Sequence, residues 1–162
     1  MKTLYTSLEK KLGVNFKDKN LLVKSLTHKS FDNQDNNEKI EFLGDRVLGL
    51  VIAKKLLEIY PTEKEGILDK KFASLVNRKT CLQIANKIEL EKYILIFRPR
   101  NKKTIIEDKV VADSCEALIG AIYLDRGFTT VEKTILNLWK KTFRKKCYYR
   151  NRRKNEITRI VS

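Results

Sequence analysis

The sequence predicts an all-α fold, with several helices packed around a central apolar helix at about residues 107–126. Three observations point there. Only two prolines and six glycines interrupt 162 residues. Apolar residues recur at intervals of three and four, the period of helices with a buried stripe. Thr followed three residues later by Glu or Gln also recurs, the spacing of a capping box.

In chain order, helices are expected over 3–12, 18–28, 36–60, 63–78, 80–88, 107–126 and 129–146. Gly13 and Gly127 read as helix stops, and Pro61 closes the long third helix. Thr6 to Glu9, Thr62 to Glu65, Thr80 to Gln83 and Thr129 to Glu132 mark helix starts, and Asp35 to Glu38 fits the same pattern. Between the fifth and sixth helices, Phe97–Lys103 reads as a basic loop carrying Arg98, Arg100, Lys102 and Lys103. The length suits one domain, with residues 1–143 as its body and 144–162 as a flexible basic tail.

Lysine and arginine total 35 against 20 acidic residues, a net charge of +15. This balance favours a polyanionic partner, because phosphate contacts release counterions; a merely lysine-rich solvated surface is the other reading. The charge concentrates at the end, with ten basic residues and one acidic from Lys140 to Ser162. Arg46, Arg98, Arg100, Lys102, Lys103, Arg144, Lys145, Lys146, Arg152 and Arg153 are the candidate contacts to such a phosphate-bearing partner. No stretch approaches the roughly 18–20 apolar residues of a membrane span, and the early Glu9-Lys10-Lys11 does not suit a signal peptide. Cys81, Cys115 and Cys147 have no zinc spacing, and free thiols fit the cytoplasm. With one histidine, His28, read as structural, a metal here must take oxygen ligands, which points to Mg²⁺ or Mn²⁺.

Carboxylates stand where apolar residues are expected. At roughly 100° per residue, Glu38, Glu41 and Asp45 fall within about 60° on a helix otherwise rich in Ile, Leu and Val. Asp113 and Glu116 share a face of the central helix, which is apolar nearly all round. An unpaired carboxylate is expensive there, and either a divalent cation or a basic partner answers it. Gly44, Gly49, Ala112 and Gly120 would let the two helices approach closely. Facing pairs Glu41/Asp45 and Asp113/Glu116 could then form an oxygen-only metal site.

The segment Glu38-Lys39-Ile40-Glu41-Phe42-Leu43-Gly44-Asp45-Arg46-Val47-Leu48 resembles the signature of the ribonuclease III family, usually E-R-L-E-F-L-G-D-S-V-L. Three further blocks agree in order: Thr27-His28-Lys29-Ser30, Ala73-Ser74-Leu75-Val76-Asn77, and Asp113-Ser114-Cys115-Glu116-Ala117-Leu118. The likeness runs from about residue 5 to 140.

The resemblance implies an endoribonuclease that hydrolyses double-stranded RNA with Mg²⁺, for which Mn²⁺ can substitute. It implies 5′-phosphate and 3′-hydroxyl ends with two-nucleotide 3′ overhangs, and roles in ribosomal and messenger RNA processing. Glu41, Asp45, Asp113 and Glu116 take the places of the family's metal ligands. Glu38 and Glu65 take those of two further acids near the scissile region. Asp45 and Glu116 are expected to be the most sensitive catalytic positions. Phe42 takes the place of an aromatic in a homodimer interface. A non-catalytic RNA-binding or ribosome-associated protein on the same fold is the alternative. Three departures stand out. Arg46 follows Asp45 where a small residue is usual, and Lys71-Phe72 replaces a basic-aliphatic step. The third is that the last twenty residues show no pattern of the family's C-terminal double-stranded-RNA-binding domain, so the likeness is to the nuclease domain.

Overall fold

Two long helices carry the core of the computed structural model, which describes residues 2–100 and 105–148. The elements are α1 (Lys2–Leu12), α2 (Lys19–Ser25), α3 (Glu38–Ile59), α4 (Glu65–Val76), α5 (Arg78–Lys87), a 3₁₀ turn at Leu90–Tyr93, and α6 (Asp108–Phe143). No strand occurs among the described residues; the nearest thing is one bridge between Thr27 and Leu95. The all-α expectation holds, with α6 at the centre.

The first half of α6 has buried residues on every side, from Val111 through Ile122. That requires neighbours all round, and α2, α3 and α5 supply them. Each neighbour needs only one apolar stripe. On α5 it is Cys81, Ile84 and Ala85; on α3 it is Ile40, Val47, Leu48, Val51, Ile52 and Leu56. A fully buried Leu or Ile contributes roughly 1.5–3 kcal/mol, so this junction supplies much of the stability. Gly127, at φ 78°, breaks the helical path of α6, which separates the acid-bearing half from the half that carries Trp139. That tryptophan is fully buried, and its indole Nε1 donates to the Leu75 carbonyl at 2.9 Å.

The helix stops agree with the sequence and most of the starts do not. Gly13 ends α1 in the left-handed region, and α3 ends just before Pro61. Thr6, however, lies within α1. Asp18 caps α2, accepting from the amides of Asn20 and Leu21. Asn77 caps α5 by accepting from the Thr80 amide, so Thr80 is inside the first turn. At α4 the cap position is Lys64, which makes no side-chain capping bond. Asp35 pairs with Lys24, and Glu132 with Lys54, in place of closing boxes. A free amide at a helix start is satisfied by whichever acceptor the chain path brings near.

The helical path runs on past residue 143. Arg144–Tyr148 continues α6 as a π-helical turn, and this turn packs on the body. Cys147 is buried and its carbonyl accepts from the Tyr60 hydroxyl. Residues 144–148 of the expected tail thus pack on the body; 149–162 lie outside the described residues. The Lys71-Phe72 departure also has a place: Lys71 is buried with its ammonium over the Tyr60 ring, and Phe72 packs on Gly49.

Candidate metal centre

The acids of α3 and α6 meet because the two backbones touch. A Cβ on Gly44 would stand 1.7 Å from the Glu116 carbonyl oxygen, and one on Gly120 would stand 2.3 Å from the Ile40 carbonyl oxygen. Only glycine permits that approach. Gly49 does not share this role; its open side meets the Phe72 ring of α4. The crossing sets Glu41 of α3 opposite Asp113 and Glu116 of α6. One carboxylate oxygen from each lies within 4.8 Å of the other two.

The electrostatics are those of a crowded acid cluster with too little positive charge. Burial, and then the charge of Asp45, push the Glu116 carboxyl up to about 7. Burial and the neighbouring Asp113 raise Glu41. Lys109 faces the cluster, its ammonium donating to Asp113 at 2.5 Å and itself held charged by that bond. Three hard oxygen donors in mutual repulsion suit a divalent cation such as Mg²⁺ or Mn²⁺. Beside the acids opens a cleft of about 190 Å³, lined by His28, Lys29, Glu38, Glu41, Lys109 and Asp113 among others.

The remaining expected residues are spread around this cluster. Asp45 is outside the close group; its carboxylate pairs with Arg46 at 3.1 Å. The Arg46 guanidinium also lies 3.8 Å over the Phe42 ring and donates to the Phe42 carbonyl. Glu38 opens α3 and pairs with Lys29 at 2.9 Å. Glu65 opens α4 and is exposed. Phe42 is 63% exposed. Arg98 and Arg100 are exposed in a loop, as are Arg144 and Lys145 in the last turn. Lys102, Lys103, Arg152 and Arg153 lie outside the described residues. Lys146, half-buried, differs from these: its ammonium turns inward and donates to the Ser74 carbonyl and the Thr80 hydroxyl.

Two features of the site were not expected there: His28, read from the sequence as structural, and Cys81, read as a free thiol. His28 borders the cleft, its Nδ1 2.9 Å from the Ser30 hydroxyl. Cys81 of α5 places its thiol 3.6 Å from Glu116 Oε1. Cys81 arrives by chain path, from a helix 35 positions before Glu116.

Comparison with known proteins agrees with this architecture. The family model described as ribonuclease-III-like matches residues 18–142. A ribonuclease 3 of Pelagibacter ubique is 71% identical over 139 residues, covering 86% of this chain and 63% of that protein. The chain thus spans less than two thirds of that relative's length. The crystal structure of the nuclease domain of ribonuclease III from Campylobacter jejuni is 41% identical, with a TM-score of 0.79 over 88% of this chain and 97% of that one. A second structure of that domain, 42% identical with a TM-score of 0.78 over 85% of this chain and 96% of that one, is described for flexibility in a region involved in dimer formation. A helical crossing that only glycines allow, acids gathered at it, and identity at this level along most of the chain place this protein in the ribonuclease-III-like family.

Proposed function

We propose that this chain acts as the nuclease domain of an endoribonuclease that hydrolyses double-stranded RNA with a divalent cation, Mg²⁺ by preference. The observation that carries this reading is the group formed by Glu41, Asp113 and Glu116 at a buried helix crossing, where three carboxylates otherwise repel. Glu41, Asp113 and Glu116 would hold the cation, and Asp45 would complete the set on leaving Arg46. When bound, the cation supplies Lewis-acid polarisation of a phosphoryl oxygen and acidifies water. Glu38 and Glu65 would flank the scissile region. Lys109 neutralises one oxygen of Asp113 and keeps the cluster from full repulsion. Exposed Arg98, Arg100, Arg144 and Lys145, with Arg46, offer phosphate contacts, and an RNA duplex is read by shape and phosphates more than by sequence. The products would be 5′-phosphate and 3′-hydroxyl ends with two-nucleotide 3′ overhangs, in processing of ribosomal and messenger RNA in the cytoplasm.

The working form would be a homodimer. Phe42, Leu50 and Leu57 are all exposed large apolar residues of α3, and they fall within about 80° of one another around the helix. A stripe of that kind marks an interface, and the Campylobacter jejuni domain is described as forming a dimer.

The test is Mg²⁺-dependent cleavage of a long duplex RNA, with the ends mapped. Glu116→Gln and Asp45→Asn should still bind duplex while cleavage falls by about 10² or more, the loss expected when a charge acting in the transition state is removed. Near wild-type cleavage by either variant would mean that the site is misplaced. Binding without cleavage in the wild-type protein would establish the non-catalytic alternative.

A further inference from the structure

Cys81 sits on α5, outside both acidic helices, and is fully buried. Its sulfur is 3.6 Å from Glu116 Oε1 and 3.8 Å from the Val76 carbonyl oxygen. A thiol has one proton, so at any moment it serves one of these two acceptors. We propose that Cys81 is a positioning residue for Glu116: its S–H holds Oε1 so that the carboxylate presents its other lone pairs to the cation.

The physical case has three parts. The terminal torsion of a glutamate is broad, so a carboxylate without a donor on one oxygen samples orientations that do not ligate. Fixing that torsion from behind is what outer partners of metal ligands do. The donor here is weak and neutral, so it orients the carboxylate without cancelling the charge that attracts a cation. Finally, the Val76 carbonyl gives the thiol somewhere to turn, so Glu116 can change its lone-pair use without stranding a buried donor. α5 packs against α6, which keeps the thiol beside the carboxylate.

This proposal rests on the reading of the acids as a cation site, and the experiment separates the two. Mn²⁺ binding to the RNA-free protein is measured by the electron paramagnetic resonance of free Mn²⁺, alongside metal-free thermal denaturation, for wild type, Cys81→Ser, Cys81→Ala, Cys81→Val and Glu116→Gln. Cys81→Ala and Cys81→Val should weaken Mn²⁺ binding on the order of tenfold, the low end for loss of an outer partner. Cys81→Ser keeps a donor and should stay within about threefold of wild type. A purely structural cysteine would lower the melting temperature in Ala or Val and leave Mn²⁺ affinity unchanged, which overturns the proposal. So does a Ser variant, folded as wild type, that loses as much affinity as Ala. If Glu116→Gln also binds Mn²⁺ like wild type, the cation site itself is wrong and the proposal falls with it.

Discussion

Glu116 is the residue whose chemistry is most exposed to pH. Its carboxyl holds its proton up to about 7 because burial and the charge of Asp45 disfavour the anion. In the unfolded chain the same group ionises in the ordinary glutamate range near 4.3. Well below that range it is protonated in both states and has no effect. As pH rises, the unfolded chain releases its proton first, so the native state loses stability until both states are ionised, somewhat above 7. The metal-free protein should therefore show a melting temperature that declines from about pH 5 to about pH 8, and Glu116→Gln should remove that part of the decline. Mg²⁺ binds the ionised form, so the rise in melting temperature on adding it should be larger at pH 8 than at pH 6. An equal rise at both values, measured by differential scanning calorimetry, would separate Glu116 from cation binding. The acids themselves were legible because carboxylates on apolar helices are conspicuous. Cys81 was not, since a buried cysteine reads as a small apolar residue and nothing local links it to a helix 35 positions away.

At the scale of elements, the α3–α6 crossing tests the difference between glycines that look alike in sequence. Gly44→Ala or Gly120→Ala would drive a methyl into a carbonyl of the facing helix. Backbone cannot give way as a side-chain tip can, so each should destabilise by about 1–3 kcal/mol or more. Gly49→Ala meets only the end of the Phe72 ring at 3.4 Å. Gly66→Ala meets nothing within 4 Å, and should stabilise α4 by up to about 1 kcal/mol through helix propensity alone. Urea denaturation of the four variants checks the order, and a well-tolerated Gly120→Ala would show that the helices can separate. In sequence, Gly44, Gly49 and Gly120 read alike as close-packing residues. Sequence could not divide them, because which glycine faces which helix depends on the rotation of α3 against both α4 and α6. Helix ends split in the same way: glycine and proline stops are properties of the residue's own backbone and were legible. Caps were not, because several side chains near a start can accept: Asp18 and Asn77 cap α2 and α5, while Asp125 of α6 accepts from the amides of Lys17 and Asp18.

For the whole molecule, assembly and RNA affinity are the properties at stake. Phe42→Asp should shift the protein from dimer toward monomer at tens of micromolar by light scattering, since the exposed stripe of α3 would carry a charge at its end. A wild-type monomer under those conditions would sink the dimer. The inward turn of Lys146 decides where a truncation must be made. Residues 149–162 contain five basic residues and one acidic. Their removal should flatten the dependence of log K on log salt, by roughly 0.9 for each duplex phosphate that is no longer neutralised, without changing the melting temperature. Removal from 144 should also lower the melting temperature, because Lys146 and Cys147 go with it. An unchanged salt slope after removal of 149–162 would leave that segment without a part in binding.

Trp139 is the single tryptophan of the chain, and its surroundings make it an optical reporter. Buried between α4 and the second half of α6, with its N–H on the Leu75 carbonyl, it should emit at the blue end of the tryptophan range in the native state and shift to the red on unfolding. Because it lies beyond the bend at Gly127 from the acids, cation binding should leave its emission maximum where it is. A single fluorescence channel, free of any label, therefore follows loss of the core in every variant named above while staying blind to occupancy of the site. A red shift on adding Mn²⁺ to folded protein would mean that the two halves of α6 are mechanically coupled across the glycine.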